Sequence, residues 1–479
     1  MSSLRSKTVN GIIWNALQSF GTRFIQLAVT IVIARILLPS DFGLIGMLYV
    51  FIALGGVILD AGFGQALIRK ENVDDLEYSS VFYFNIAISV LIYLLLYLLA
   101  PSISVFYSEP RLTDVSRAIF FIFPINAFAL IQNTILSKRI DFKLLAKITI
   151  TSAVVSGIVG VVMAYLEYGV WALVMQTIVQ SLATVVLLWY YNKWRPIFAF
   201  SYAKIKGLLG FSLNLLGTNV LIVLFNNIYT LIIGKFYLLD QVGYYNQAKK
   251  FQDVPTSSIT SIVQSVTYPV LSRLQNNDGQ LREAYRKVIN MAVFINFPIM
   301  LGLIACADNL FMLLLKEKWM PAVPYFQILC IYGALFPLHS INVNILKVKN
   351  KTKRLFVLEV VRRLIVVVAI VFTISKSIEW LIIGSVIASI FSILINMYYC
   401  GKEIELKVKT QLIDVIPIFV IAVISTFVMY MLKTVHHLDI VSLIIQIFAG
   451  TLSYLMLSKV FKVKSLNEIV LIVKEKIGK

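Results

Sequence analysis

GIIWNALQSFGTRFIQLAVTIVIARILLPSDFGLIGML, residues 11–48, carries two charges, Arg23 and Arg35, between Gly11 and Leu38. A helix crosses the hydrocarbon core with about 20 mainly apolar residues, so this run is long enough to span a bilayer. Leu38–Pro39–Ser40–Asp41–Phe42–Gly43 then reads as a tight turn before a second apolar run. Arg5 and Lys7 precede the first run, as in a secretory signal. The run is too long for a signal h-region and has no clear small-residue cleavage site, so it is read as a retained span.

The same texture continues through all 479 residues: 59% are hydrophobic and 14% charged, and the mean hydropathy is +0.86. Soluble domains are usually about 45–50% apolar and about 25% charged. The excess excludes a cytosolic enzyme, a disordered chain and a coiled-coil fibre, and it predicts an all-α integral membrane protein. About fourteen runs have spanning length: 11–37, 42–67, 80–101, 117–136, 147–167, 169–191, 207–234, 243–270, 288–312, 323–346, 355–374, 378–399, 412–432 and 439–459. They group as six helices in 1–200, six in 201–400, and two more with a basic tail in 401–479.

The net charge of +19 tests that register. An even number of crossings with both termini in the cytoplasm puts Lys and Arg on the inner side roughly four times as often as on the outer. The cations therefore read as topology signals and as attraction to anionic lipid headgroups, not as a nucleic-acid footprint. Cys306, Cys330 and Cys400 have no metal-type spacing and read as packing residues.

An internal repeat is visible at an offset of 200, where Ile33, Arg35, Leu38 and Gly43 meet Ile233, Lys235, Leu238 and Gly243. Six spans separate the copies, so they start from the same side as parallel repeats, an arrangement in which transporters place substrate between halves.

Charges inside spans are costly and should face a cavity or a partner. Arg23 lies deep in the first span, and Asp60 lies in the second within VILDAGFG. Lys249, Lys250 and Asp253 share one run, at spacings that allow Asp253 to pair with either lysine. Glu359, Arg362 and Arg363 form a similar cluster towards the inner end of the eleventh span. Snorkelling of the four paired cations to the nearest interface is the competing reading. The amides Gln18, Gln176, Gln180, Asn214, Asn219 and Asn226 suit sugar hydroxyls, and suit helix-to-helix bonding equally. Pro255 and Pro269 mark a candidate bending element in the eighth span.

No phosphate-binding loop and no metal-ligand cluster is legible. AGFGQAL contains G-x-G without a following strand and reads as helix packing. His339 stands alone, and His436 and His437 share a short outer turn; none receives a role. The longest outer loop, about 102–116, is too short for a catalytic domain, which argues against an enzyme such as a membrane polymerase or ligase.

Taken together, residues 11–47, LDAGFGQALIRK (59–70), SKRIDFKLLAK (137–147), VGYYNQAKKFQDVP (242–255) and YPVLSRLQ (268–275) resemble a known group. It is the Wzx-type polysaccharide exporters, the colanic-acid and teichuronic-acid branch of the multidrug/oligosaccharidyl-lipid/polysaccharide superfamily. The resemblance implies a MATE-like V-shaped pair of six-helix bundles working by alternating access in a bacterial inner membrane. It implies flipping of an oligosaccharide on undecaprenyl pyrophosphate from the cytoplasmic to the outer leaflet, driven by an ion gradient, with H+ or Na+ as candidate coupling ion and no other cofactor. Polymerase and chain-length machinery are the partners it suggests. On this reading Arg23, Lys249, Lys250, Arg362 and Arg363 are candidate headgroup ligands, and Asp60 or Asp253 the coupling carboxylate. An ion-coupled multidrug antiporter of the same fold is the alternative; it calls for an acidic cavity, whereas these charges lean basic.

Overall fold

The computed structural model describes residues 2–433, 440–468 and 471. By contacts the chain divides into two compact units, residues 1–246 and 247–479. The first contains α1 (Ser2–Ile36), α2 (Pro39–Asp60), α3 (Phe63–Arg69), α4 (Asp75–Tyr107), α5 (Leu112–Ile119), α6 (Ile122–Lys138), α7 (Phe142–Tyr165), α8 (Val170–Tyr191), α9 (Tyr202–Phe236) and the opening turns of α10 (Leu239–Arg273). The second takes the rest of α10 with α11 (Asp278–Leu315), a 3₁₀ turn (Glu317–Ala322), α12 (Val323–Val348), α13 (Thr352–Thr373), α14 (Ile378–Glu403), α15 (Val408–Lys433) and α16 (Ile440–Val460). The contact boundary thus differs from the division at residue 200 read from the sequence, because α9 packs on α2 and α4.

Among the described residues, twelve segments are long and apolar enough to cross a membrane. The two long helices outside that set are α10 and α13. Each carries too many polar and charged side chains, among them Lys249, Lys250 and Asp253 in α10 and Glu359, Arg362 and Arg363 in α13.

Three expectations change. The second run is broken, not continuous: Ala61 and Gly62 take φ of 43° and 78°, ending α2 and starting α3. AGFGQAL therefore holds a helix break as well as close packing, with Phe63, Ala66 and Leu67 buried; glycine tolerates positive φ without the Cβ clash that penalises other residues. The fourth run is also divided, at Phe120–Phe121 between α5 and α6. The expected outer loop at 102–116 is mostly helix, since α4 continues through Pro101 to Tyr107 and α5 starts at Leu112.

The repeat has a structural counterpart. α1 and α9 each have 35 residues. They end at Ile36 and Phe236, and the next helices begin at Pro39 and Leu239. The Leu38 N–H donates to Asp41 Oδ2 at 3.1 Å, and the Leu238 N–H donates to Gln241 Oε1 at 3.2 Å, so residues at the same offset cap both turns. The turns also meet reciprocally. A Cβ on Gly43 would strike the Leu239 carbonyl oxygen, and one on Gly243 the Pro39 carbonyl oxygen.

Residues 192–201, between α8 and α9, are fastened along their length. Trp194 Nε1 donates to Asp75 Oδ1 at 3.1 Å, and Gln132 Nε2 donates to the Trp194 carbonyl at 3.2 Å. The Ile197 and Ser201 N–H groups donate to the Ser79 and Ser80 hydroxyls at 3.0 and 2.9 Å. Both serines are fully buried, so each hydroxyl is satisfied by the strap it holds.

Candidate functional site

Nearly three turns of helix separate the start of α10 from its paired lysines. Lys249 is eleventh of the helix's 35 residues, about 15 Å along its axis from Leu239. Lys249 and Lys250 are partly buried, and Asp253, one turn on, is exposed. Asp253 acts electrostatically on Lys249, as the i,i+4 spacing anticipates. α10 continues as helix through Pro255 and Pro269. Beyond the lysines, its polar side chains bond within the second unit: Gln252 with Thr256, Gln264 with Ser340, and Asn344 Nδ2 to Gln264 Oε1 at 2.8 Å. The Gln264 bonds join α10 to α12, the commoner use of amides inside membranes.

α13 carries the second cluster. Arg362 is eleventh of 22 residues, at mid-helix and not near an end. A guanidinium there is about 15 Å from either helix terminus, a long reach for snorkelling. Glu359 Oε1 accepts from Arg363 at 3.1 Å and lies 3.5 Å from Arg362. One carboxylate therefore serves two guanidiniums, leaving the trio net positive.

The sequence reading gave His339 no role, yet the fold brings it to this cluster. Its Nε2 is 3.3 Å from Arg362, and its Nδ1 is 2.9 Å from the Asn396 amide of α14. The signal was faint: HSINVN (339–344) interrupts an apolar helix with four polar residues.

In the first unit the candidates are more scattered. Arg23 is exposed on α1 and Gln18 is half-buried. Gln176 and Gln180 are half-buried one turn apart on α8, and Gln176 lies against Gly160 of α7. Asn219 is half-buried and Asn226 exposed on α9; the side chain of Asn214 lies outside the described residues, as do His436, His437 and the end of the basic tail. Asp60 acts on its own surroundings, where its carboxylate accepts from the Gly64 N–H at 3.3 Å and caps α3 after the break.

Two further features escaped the sequence reading. Arg286 of α11 and Asp414 of α15 form a two-pronged pair at 2.6 and 2.7 Å. The pair lines a cavity of about 800 Å³ with Lys287, Lys462, Lys464 and Glu468 and with apolar residues that include Ile421. Among the described residues no group of His, Cys, Asp or Glu is arranged to hold a metal ion.

Residues 32–324 match the family described as "Polysaccharide biosynthesis protein". The chain is 26% identical over 359 residues to the teichuronic acid biosynthesis protein TuaB of Bacillus subtilis (strain 168), covering 74% of each chain. It is 28% identical over 340 residues to the lipopolysaccharide biosynthesis protein WzxC of Escherichia coli (strain K12), covering 70% of this chain and 68% of that one. Among solved structures it is similar to the lipid II flippase MurJ in its inward closed conformation, with a TM-score of 0.74 at 17% identity over 94% of this chain and 98% of that one. That likeness establishes a shared fold. With the matched segment covering more than half of its length, the chain belongs to the polysaccharide biosynthesis protein family.

Proposed function

We propose that this multi-pass membrane protein is a flippase that carries a lipid-linked oligosaccharide, borne on undecaprenyl pyrophosphate, from the cytoplasmic to the outer leaflet. The observation that supports this most directly is the placement of cations. Of the long helices described, the two too polar to qualify as ordinary spans carry Lys249 with Lys250 and Arg362 with Arg363 about halfway along or a few turns in. A cost of at least about 2.5–3.5 kcal/mol per central charge is retained only where the charge serves a purpose. A diphosphate cannot cross hydrocarbon bare, and guanidinium and ammonium groups replace its hydration with charge-assisted bonds. α10 and α13 cross the bilayer with the other twelve segments, giving fourteen crossings with both termini in the cytoplasm of a bacterial inner membrane. The names of TuaB, WzxC and MurJ point to cell-surface saccharides and a lipid-borne one, which agrees with this cargo.

Asp253 is the stronger candidate for coupling to H+ or Na+, since it is exposed beside Lys249 whereas Asp60 is engaged in capping. The reading is of a transporter and not an enzyme. A drug antiporter is disfavoured because both mid-helix clusters are net basic. Polymerase and chain-length proteins are the partners that would consume the product.

The test is flipping of a fluorescent undecaprenyl diphosphate-linked oligosaccharide in proteoliposomes. Protein-dependent appearance of the label in the opposite leaflet is expected. Transport of organic cations without it would overturn the reading.

A further inference from the structure

Arg362 has two neighbours of different character. Glu359 is an anion that it shares with Arg363, and His339 is an imidazole held between α12, α13 and α14. A neutral imidazole has one donor and one acceptor nitrogen, and a guanidinium only donates. The nitrogen facing Arg362 at 3.3 Å must therefore be the acceptor, which puts the proton on Nδ1. Asn396 stands 2.9 Å from Nδ1, and a half-turn of its amide offers the oxygen that Nδ1–H requires. The chain Asn396–His339–Arg362 is then satisfied from end to end, with a single tautomer.

We infer that His339, oriented by Asn396, is a positioning residue that holds the Arg362 guanidinium available for the anionic diphosphate of the substrate. The inference rests on the flippase reading above. Its physical content is that a neutral acceptor fixes a guanidinium without cancelling its charge. A carboxylate in the same place would make the cluster neutral. An apolar side chain would leave Arg362 to collapse onto Glu359, whose carboxylate is 41% exposed and within reach of both arginines. With His339 in place, Arg362 keeps 30% of its side chain exposed and Arg363 17%, so the fixed charge remains open to a ligand.

The experiment uses the full-length protein in proteoliposomes with the fluorescent undecaprenyl diphosphate-linked oligosaccharide, and compares His339→Ala, His339→Gln, Arg362→Gln and the double variant H339A/R362Q. Losing one oriented charge-assisted bond corresponds to about a tenfold change. His339→Ala is expected to raise the half-saturating concentration about tenfold with the maximal rate within about twofold. His339→Gln, which keeps a neutral acceptor, is expected to restore most of the affinity. In the Arg362→Gln background the alanine change should add nothing, because its effect passes through Arg362. Thermal unfolding in detergent separates misfolding from this outcome: a His339→Gln protein that unfolds like the parent yet matches His339→Ala in affinity overturns the inference. So does full additivity of His339→Ala with Arg362→Gln. If Arg362→Gln alone leaves flipping unchanged, the placement of Arg362 on the substrate route fails, and the role of His339 fails with it.

Discussion

The hairpin of α1 and α2 and the hairpin of α9 and α10 begin alike. Each has a 35-residue helix, a turn capped by the side chain three residues on, and a glycine pressed against the opposite turn. Past the turn they part. Tyr49, Val50 and Ala53 of α2 stand where α10 has Lys249, Lys250 and Asp253. Val50 is 1% exposed in an apolar setting, whereas both lysines are partly buried in a helix too polar to pass as an ordinary span. The turn is retained in both because its geometry admits few side chains. The segment beyond it is free to change, and there the second copy has taken up charge. In a repeated architecture the chemistry is sought where the copies disagree.

The largest effect should follow from forcing the copies to agree. Val50→Lys puts an ammonium into a site built for an apolar side chain, at a cost of about 3 kcal/mol or more. A collapsed yield of folded protein on size-exclusion chromatography is the expected result, and a monodisperse protein with parental stability would show that the two helices share an environment after all. Next come the reciprocal glycines. Gly43→Ala and Gly243→Ala should each destabilise by about 1–3 kcal/mol, because the added methyl meets a backbone carbonyl in both cases. Similar drops in the thermal midpoint support the two-fold relation of the turns; a drop for one alone argues against it.

Removing the charges of α10 tests the other side. Lys249→Met with Lys250→Met should lower flipping by about tenfold or more while leaving the unfolding midpoint unchanged or higher. A parallel loss of stability and flipping would assign the lysines to structure. A smaller effect is expected at the caps, where Asp41→Ala and Gln241→Ala each remove one acceptor for a turn N–H, worth about 1 kcal/mol or less.

The smallest concerns the Lys204 Nζ–Asp74 Oδ2 pair at 2.6 Å, which ties the loop before α4 to the start of α9. The hydrogen bond from Lys204 holds the Asp74 carboxyl below its ordinary value of 3.8. Its contribution is complete above that value and is lost as the pH falls through the lower folded one. Asp74→Asn should therefore lower the stability slightly at neutral pH and remove a small part of the further loss below about pH 4. An unchanged acid limb in detergent would show the pair to be inert, as exposed pairs often are.

Much of the helical plan was legible in the sequence, because a bilayer demands long apolar runs and charge bias marks their ends. The span read at 243–270 rested on run length and agreed with the alternation of charge, but α10 is not apolar enough to be marked as a crossing by hydropathy. The break at Phe120–Phe121 was not legible, since the text remains apolar across it, and the one at Ala61–Gly62 was read through as part of one long run. The Asp-Ala-Gly of residues 60–62 did contain turn chemistry, and it explains why Asp60 caps a helix. Among the site residues, Glu359, Arg362 and Arg363 could be grouped because helical spacing links them. His339 and Asn396 could not, because they reach Arg362 from neighbouring helices at sequence distances that carry no periodic signal.

The bonded strap at residues 192–201 has a consequence for handling the protein. A stretch between two helices would ordinarily be the natural place to cut, tag or insert a fusion partner. Here Trp194, Ile197 and Ser201 are tied to α4 and α6, so a protease should find little slack to unfold into its cleft. An inserted epitope would compete with the buried serine hydroxyls for the same backbone. A chain severed at Phe198 should stay associated through those bonds, and its two pieces should migrate together until denaturant is added.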